Sequence, residues 1–243
     1  MNGNYFSAAN AKNILVSSSL TGLVAIAETY QIIATSIDMS TGSVAAFSGV
    51  FAAMLLNKGM NPVATLLFAL VAGGIVGVIN GVFVTKLKIE PFITTLATME
   101  IIRGFAYIIC DGKAVYISDD FFINLGSYQI LGFLSIPVLV LIISFIIFGI
   151  VLKRTCLGRS VYVLGGNKYA ARLAGLKPNT IILKMFIISG VLSALGGVFL
   201  AARMNSGQPS ACDNLAFDGV TAAVLGGTAF FGGVGTMLGT VIG

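Results

Sequence analysis

The chain has 243 residues, of which 57% are hydrophobic and 9% are charged, and its formal net charge is +5. Soluble domains carry about 25% charged residues, so this composition indicates a membrane protein. The absence of histidine excludes histidine-ligated zinc and Ser-His-Asp catalysis, and three scattered cysteines imply no disulfide framework. Basic cytoplasmic loops explain the positive charge more simply than a nucleic-acid partner.

Apolar segments follow one another along the chain, and their continuous runs favour membrane helices over the alternating pattern of a β-barrel. The second is short for a span, and the last is broken by the glycine-rich run "GGTAFFGGVG". We therefore predict an all-α polytopic membrane helix bundle forming a single domain over 1–243, with about seven spans and interrupted helices. The seven predicted segments are 14–35, 42–57, 62–85, 91–110, 131–152, 181–202 and 215–243.

Helix interruptions are predicted near 36–42, between the first two segments, and near 226–235, within the last segment. Asp38 and Asp218 each lie at a predicted helix start, where a carboxylate caps the helix by accepting from free backbone N–H groups. Transporters place substrate contacts at interrupted helices, so these positions are also candidates for a translocation pathway. The pathway or helix-break candidates are Asp38, Ser40, Gly42, Ser43, Asp218, Gly226 and Gly227.

Three charges are predicted to lie inside the membrane: Glu28, Glu100 and Arg103. Glu100 and Arg103 are three residues apart on one helix and are expected to neutralise each other. A charge at mid-helix costs about 2.5–3.5 kcal/mol on insertion scales, so Glu28 needs a partner or water. A proton path through Glu28 is the alternative.

Basic residues between 152 and 184 make up seven of the fourteen Lys and Arg of the chain, and this stretch has no acid. Because Lys and Arg are retained in the cytoplasm, we place this stretch inside, and the loops 111–130 and 203–214 outside. Met1 then begins outside. Gln208 and Pro209 lie at the outer mouth, either to meet an external protein or as a simple loop turn.

Within this basic stretch, residues 153–180 are predicted to form a cytoplasmic segment with a rigid shape. "GGN" at 165–167 is turn chemistry, Asn167 is an N-cap for a short helix from Lys168 to Ala174, and Gly175 suits its C-terminus. The segment either marks topology only or docks on a cytoplasmic partner. The docking candidates are Gly158, Arg159, Gly165, Gly166, Asn167, Ala170, Arg172 and Gly175.

Four stretches carry a resemblance to a known family, in the same order as in that family: "SIDMSTGSVAAFSG" (36–49), "PFITTLATMEIIRG" (91–104), "LGRSVYVLGGNKYAARLAGLKP" (157–178) and "NSGQPSACDNLAFDGVTAAVLGGTAFFGGVGTMLGTVIG" (205–243). The sequence resembles ribose-type ABC importer permeases, the monosaccharide branch of the bacterial import systems. Glu28 and the pair Thr35-Ser36 depart from the family's pattern. Members also carry more helix before and after the matched region, so we expect a truncated chain.

The resemblance implies a multi-pass permease subunit of the bacterial plasma (inner) membrane that is not an enzyme. Its partners would be a cytoplasmic ABC ATPase, a second permease copy or paralogue, an extracytoplasmic sugar-binding protein and membrane lipid. No G-x-x-x-x-G-K-[ST] loop is present, so this chain is expected to bind no cofactor, with ATP held by the partner ATPase. The segment 153–180 would couple ATPase motion to the membrane helices. The alternatives are a branched-chain amino acid ABC permease and a stand-alone secondary carrier.

Overall fold

The computed structural model describes residues 7–130 and 134–243, and within them the backbone is mainly helical. The helices are α1 (Ala8–Ile33), α2 (Thr41–Asn57), α3 (Pro62–Thr85), α4 (Pro91–Ile109), α5 (Asp120–Ser127), α6 (Ile136–Arg154), α7 (Cys156–Gly166), α8 (Lys168–Leu173), α9 (Pro178–Met204), α10 (Leu215–Leu225) and α11 (Met237–Ile242). The predicted all-α membrane fold is confirmed. The prediction that Met1 begins outside lies beyond the described residues.

Two pairs of very short antiparallel strands join loops at the ends of the helices. β1 (Val115–Tyr116) pairs with β4 (Ser206–Gly207), and β2 (Gln129–Ile130) pairs with β3 (Leu134–Ser135). The first pair ties the loop after α4 to the loop after α9. These strands and α5 were not predicted, because each is shorter than the window over which periodicity can be recognised.

Four helices in the described residues are long and apolar enough to cross a membrane: α3, α4, α6 and α9. The other predicted segments differ from full spans for identifiable reasons. α2 has 17 residues and α10 has 11, while α1 has 26 residues but carries many polar side chains. A full span needs about 20 predominantly apolar residues. The seven predicted segments therefore consist of four span-length helices and three helices that are shorter or more polar.

α9 lies at the centre of the bundle, and α1, α2 and α3 pack around it. In its most apolar 18-residue window, 72% of residues are buried, against 28% or less for α3, α4 and α6. α9 and α3 pack closely, and Gly73 and Gly190 face each other's backbone carbonyl oxygens. Small residues allow such contact, which is how helices associate in lipid without a hydrophobic driving force.

The outer helices expose large apolar side chains that a soluble protein would bury. On α3 these include Leu67, Phe68, Val71 and Ile75, and α6 exposes Ile143, Ile146, Ile147 and Ile150. By contrast, the second half of α1 is buried, including Glu28, Thr29 and Gln31. The polar groups of α1 are therefore held inside the protein, while apolar faces are left for lipid.

Both predicted interruptions are present. The first interruption, residues 34–40, separates α1 from α2, and the second interruption, residues 226–236, separates α10 from α11. Left-handed backbone occurs in both, at Thr35 (φ 59°) and at Gly227, Gly232 and Gly233 (φ 87°, 84° and 71°). Glycine adopts this conformation freely, which explains the glycine-rich second interruption.

The predicted capping roles of Asp38 and Asp218 are wrong in detail. Ser40, not Asp38, occupies the N-cap position of α2, and Asp38 lies two residues earlier in the loop. α10 begins at Leu215, because a turn bonds Leu215 N–H to the Cys212 carbonyl, so Asp218 falls within the first turn and is exposed. A carboxylate there still complements the helix dipole without capping a backbone group.

The segment 153–180 has a different corner from the predicted one. α7 continues through Gly165 and Gly166, so these glycines do not form a turn. Asn167 makes the corner with extended backbone (φ −159°, ψ 108°), and its Oδ1 accepts from Tyr169 N–H and Ala170 N–H at 2.9 Å each. The predicted cap at Asn167 and the left-handed Gly175 (φ 78°) are confirmed, with α8 ending one residue before Ala174.

Candidate functional site

A buried hydrogen-bond network fixes the first interruption around the carboxylate of Asp38. Asp38 Oδ1 accepts from Ser40 N–H at 3.0 Å and from Ser40 Oγ at 2.5 Å, and Oδ2 accepts from Ser189 Oγ of α9 at 2.7 Å. Asp38, Ser40 and Ser189 are all buried. Three short bonds to one carboxylate stabilise its charged form.

The network extends from Ser40 into α3 and α4. Asn80 Nδ2 donates to Ser40 Oγ at 3.0 Å, Thr98 Oγ1 donates to Asn80 Oδ1 at 2.6 Å, and Met39 N–H donates to Thr95 Oγ1 at 3.1 Å. The first interruption is thereby joined to three neighbouring helices. The sequence reasoning missed Asn80, Thr95, Thr98 and Ser189. A polar side chain inside an apolar segment, such as Asn80, was the available signal.

Several neutral polar groups near this network have no hydrogen-bond partner. Within the described residues, buried and unpartnered atoms include both amide atoms of Gln31 and the hydroxyls of Ser36, Thr41 and Ser43. Leaving a buried polar group unpaired costs about 1–3 kcal/mol, which a purely structural site avoids. The first interruption therefore presents neutral donors and acceptors inside the membrane domain.

Glu28 reaches the same place from α1. Its side chain is fully buried, and Oε2 accepts from Asp38 N–H at 3.4 Å, whereas Oε1 has no partner among the described residues. The expected partner for Glu28 is therefore a backbone N–H group of the first interruption, and no cation pairs with it in the described chain.

The predicted pairing of Glu100 with Arg103 is wrong. Glu100 is exposed, and Arg103 Nη2 pairs instead with Asp213 at 3.0 Å. Arg103 Nη1 also donates to the carbonyls of Pro209 at 2.7 Å and Ala211 at 2.5 Å. Three acceptors in the loop after α9 outcompete one carboxylate on the same helix, because the planar guanidinium can meet them together.

This loop, residues 205–214, folds inward at Arg103. Pro209 is buried, and Gln208 is half-buried with its Nε2 donating to Ser206 Oγ at 3.3 Å. Pro209 is therefore not a surface residue of the outer mouth, and contact between Gln208 and an external protein stays a prediction. Burial raises the pKa of the nearby Cys212 thiol to about 12, so this thiol is un-ionised at neutral pH.

The predicted pathway residues fall into two groups. Asp38, Ser40, Gly42 and Ser43 are buried together at the first interruption, where the Cys212 carbonyl packs on Gly42. Asp218 and Gly227 are exposed, and Gly226 packs on Gly239 of α11. Between α2, α9 and the loop 205–214 lies a cavity of about 10 Å³, lined by Gly49, Gly197 and Gln208 among others. That cavity has room for about one water molecule.

α7 joins the two interruptions on their other side. Gly165 packs against the Ile33 carbonyl, and Gly233 N–H donates to that same carbonyl at 2.9 Å. Tyr162 Oη donates to the Gly235 carbonyl at 2.6 Å. The end of α1, the second interruption and α7 therefore meet at one junction, which we call the α7 junction.

The docking candidates divide between this junction and the surface. Gly165 lies in the α7 junction, and Gly158 is buried against the backbone of Leu152 in α6. The remaining candidates are exposed: Arg159, Gly166, Asn167, Ala170, Arg172 and Gly175. α8 projects Tyr169 and Leu173, with 70% and 74% of their surfaces exposed, while Ala171 anchors it to the core. α8 is therefore a capped, apolar-tipped projection attached to a rigid base.

Comparison with known proteins decides the family. The sequence profile of the family described as "Branched-chain amino acid transport system / permease component" matches residues 10–243. The chain belongs to this permease family. Its membership and its apolar spans make it a multi-pass protein of the bacterial inner membrane, in a family of transport permeases and not of catalysts.

Curated relatives of this permease are sugar permeases. It is 38% identical to the L-arabinose ABC transporter permease protein AraH of Azospirillum brasilense, over 96% of this chain and 69% of the relative. It is 37% identical to the ribose import permease protein RbsC of Haemophilus influenzae, over 100% and 76%. It is 37% identical to the D-allose transport system permease protein AlsC of Escherichia coli, over 96% and 72%. No solved structure matches the chain.

Proposed function

We propose that this permease is the membrane-spanning subunit of an ATP-driven ABC importer for a monosaccharide. The observation that carries the proposal is the α7 junction. A capped helix, α8, stands exposed at the end of a segment whose base contacts the second interruption and Ile33, the residue just before the first interruption. A protein that pulls or tilts α8 would therefore act on both interruptions at once, whereas a loop that only marks topology needs no such connection.

The cargo class rests on the relatives and on the chemistry of the first interruption. The relatives are named for L-arabinose, ribose and D-allose, which are neutral molecules rich in hydroxyl groups. Amide or hydroxyl groups without a partner among the described residues lie in the first interruption and at the helix ends beside it, on Gln31, Ser36, Thr41 and Ser43. Neutral amide and hydroxyl groups can form hydrogen bonds with the hydroxyl groups of a sugar, and an uncharged sugar needs no charged residue to balance it.

Three protein partners follow from this proposal. A cytoplasmic ABC ATPase binds ATP and engages α8, a second permease copy or paralogue completes the membrane unit, and an extracytoplasmic sugar-binding protein delivers cargo. The loop 205–214, held by Arg103, is the proposed outer contact. Gln208 is its half-buried polar candidate.

The test is transport in proteoliposomes containing this permease with a cognate ABC ATPase and sugar-binding protein. Labelled D-ribose, L-arabinose, D-allose and L-leucine are compared, with ATP or a non-hydrolysable analogue inside. ATP-dependent uptake of one sugar supports the proposal. Uptake of L-leucine alone would make the chain a branched-chain amino acid permease, and uptake without ATP would make it a secondary carrier.

A further inference from the structure

Glu28 is a buried acidic residue that the proposed transport function does not use. None of its side chain is exposed, and within the described part of the chain its one polar contact is the 3.4 Å approach of Asp38 N–H to Oε2. Its other oxygen, Oε1, is buried and has no partner among the described residues. One long hydrogen bond is too little to solvate a carboxylate inside a membrane domain.

Asp38 has the opposite environment, although it lies beside Glu28. Its carboxylate accepts three hydrogen bonds from Ser40 and Ser189, of 2.5 to 3.0 Å. These three donors solvate the Asp38 carboxylate better than one long hydrogen bond solvates the Glu28 carboxyl. Two adjacent buried carboxyl groups repel each other when both are ionised, so the pair retains one proton. The proton resides on the carboxyl group that has fewer hydrogen-bond donors.

No positive charge is available in the described chain to make both groups anionic. The elements packed on α1 are α6, α7, α9, α10 and α11, and α11 carries no titratable side chain. Three titratable side chains of the other four helices have hydrogen-bond partners other than Glu28. Tyr162 donates to the Gly235 carbonyl, Arg203 donates to Ser17, and Arg159 donates to the Arg154 carbonyl and to Cys156. On α1 itself, Tyr30 donates to Phe148, and the half-buried Lys12 lies about 24 Å from Glu28 along the helix axis. The remaining charged side chains of these elements are exposed: Lys153, Arg154, Lys184 and Asp218.

We propose that Glu28 is a proton-binding site, with the carboxyl hydrogen on Oε1, and that this proton keeps the first interruption seated against α1. With the proton bound, Glu28 is neutral, and its Oε2 accepts from Asp38 N–H without opposing the Asp38 charge. Loss of the proton places a second negative charge next to Asp38 in a site that lacks a cation. Repulsion then acts between α1 and the loop that the Ser40–Asn80–Thr98 network holds to α3 and α4.

The proposal has a definite consequence for stability against pH. In the unfolded chain a glutamic acid loses its proton above about pH 4.3, whereas folded Glu28 keeps it. Above that pH the folded chain binds one more proton than the unfolded chain. The stability that this proton contributes to the fold therefore falls as pH rises. The unfolding equilibrium constant increases about tenfold per pH unit until the folded site releases the proton.

The direct experiment is infrared spectroscopy of the purified permease in detergent at neutral pH. A protonated carboxyl group gives a C=O stretching band, separate from carboxylate bands, that shifts in D₂O. We expect this band in the parent and in the matched control Glu100→Gln, which alters an exposed carboxyl, and we expect its loss in Glu28→Gln. A parent without the band overturns the proposal, even if Glu28→Gln does not fold.

A second measurement tests where the charge resides. The melting temperature of the parent should fall with rising pH more than that of Glu28→Gln. The glutamine is neutral at every pH and is close to glutamic acid in shape. A band that persists in Glu28→Gln and disappears in Asp38→Asn would place the proton on Asp38 and overturn the assignment. Stabilisation of the parent by NaCl but not by choline chloride would also overturn it, because a metal cation would then neutralise the pair. Neither measurement depends on cargo or ATPase, so failure here is distinguishable from failure of the transport proposal.

Discussion

Gly165 and Gly166 are adjacent at the end of α7, but the first is tightly packed and the second faces open space. A Cβ atom on Gly165 would collide with the Ile33 carbonyl and lie 2.5 Å from Gly233 N, whereas a Cβ on Gly166 would meet nothing within 4 Å. Both residues are helical, so neither requires the left-handed backbone that glycine allows. Gly165 is therefore required for close packing in the α7 junction, and Gly166 is not.

Alanine at these two positions gives a matched test of the α7 junction. We expect Gly165→Ala to destabilise the permease by about 1–3 kcal/mol or more, because backbone atoms must move. Gly166→Ala should be neutral or stabilising by up to about 1 kcal/mol, since alanine is the better helix former. Thermal unfolding in detergent measures both. Equal effects of the two changes would contradict the close packing described for Gly165.

Arg103 gives a second prediction at the residue scale. Its side chain is 15% exposed and bonds two carbonyls, while that of its ion-pair partner Asp213 is 68% exposed. We expect Arg103→Met to cost about 1.5–3 kcal/mol, because the loop loses hydrogen bonds to a charged donor. Asp213→Asn should cost less than about 1 kcal/mol, since exposed ion pairs contribute little. Unfolding and protease cleavage within 205–214 report both. A larger effect of Asp213→Asn would show that the ion pair, not the carbonyl contacts, holds the loop.

At the scale of elements, the contact between α3 and α9 depends on glycines at the points of closest approach. A Cβ on Gly77 would clash with the Phe186 carbonyl and lie 2.9 Å from Ile187 Cα. A Cβ on Gly104 of α4, by contrast, would meet nothing within 4 Å. Both glycines lie within helices of the membrane domain.

We expect Gly77→Val to separate α3 from α9 and to reduce folded yield and thermal stability, by about 1–3 kcal/mol or more. Gly104→Val is the control, because it introduces the same residue into a helix at an open position. Size-exclusion profiles and thermal unfolding in detergent measure the result. Comparable losses in both variants would mean that valine disfavours these helices for a local reason and that helix contact is not involved.

α8 gives the second prediction at this scale. Arg172 is exposed on a helix that Asn167 caps, so reversing its charge should leave the fold intact. We expect Arg172→Glu to weaken co-purification of the partner ATPase, and more so at low salt, because charges at the rim of an interface act through association. Lys113→Glu, in the loop predicted to lie outside, is the matched control. If Arg172→Glu retains the ATPase as well as the parent does at both salt concentrations, then α8 does not dock the ATPase, and its basic residues only set the orientation of the chain in the membrane.

At the scale of the whole molecule, the energy source separates the two classes of transporter. The buried acids Glu28 and Asp38 form one site at the first interruption, and no other acid among the described residues is buried. We therefore expect sugar uptake in proteoliposomes to continue when an ionophore dissipates the proton gradient, provided that ATP is present. The control is replacement of ATP by a non-hydrolysable analogue, which should stop uptake. Arrest by the ionophore while ATP is intact would favour a proton-coupled carrier.

Much of the architecture could be predicted because it depends on neighbouring residues. Apolar runs predicted helices in a membrane, glycine-rich and Asp-Met-Ser-Thr-Gly stretches predicted the two interruptions, and Asn167 and Gly175 predicted the ends of α8. Each of these signals lies within a few residues of the structure that it describes. The four ordered motifs likewise indicated the family before any contact was known.

The contacts of the candidate site were decided by tertiary structure. Arg103 is closer in sequence to Glu100, yet it pairs with Asp213, because the loop after α9 brings three acceptors to one guanidinium. Ser189 meets Asp38 across 151 positions of sequence, and Gly165 serves packing and not a turn. The sequence alone determined the helical membrane class, the interruptions and the ends of α8, since these follow from local propensity and composition. Only packing of distant segments decided which buried polar groups meet, because each can bond several partners and the fold selects among them.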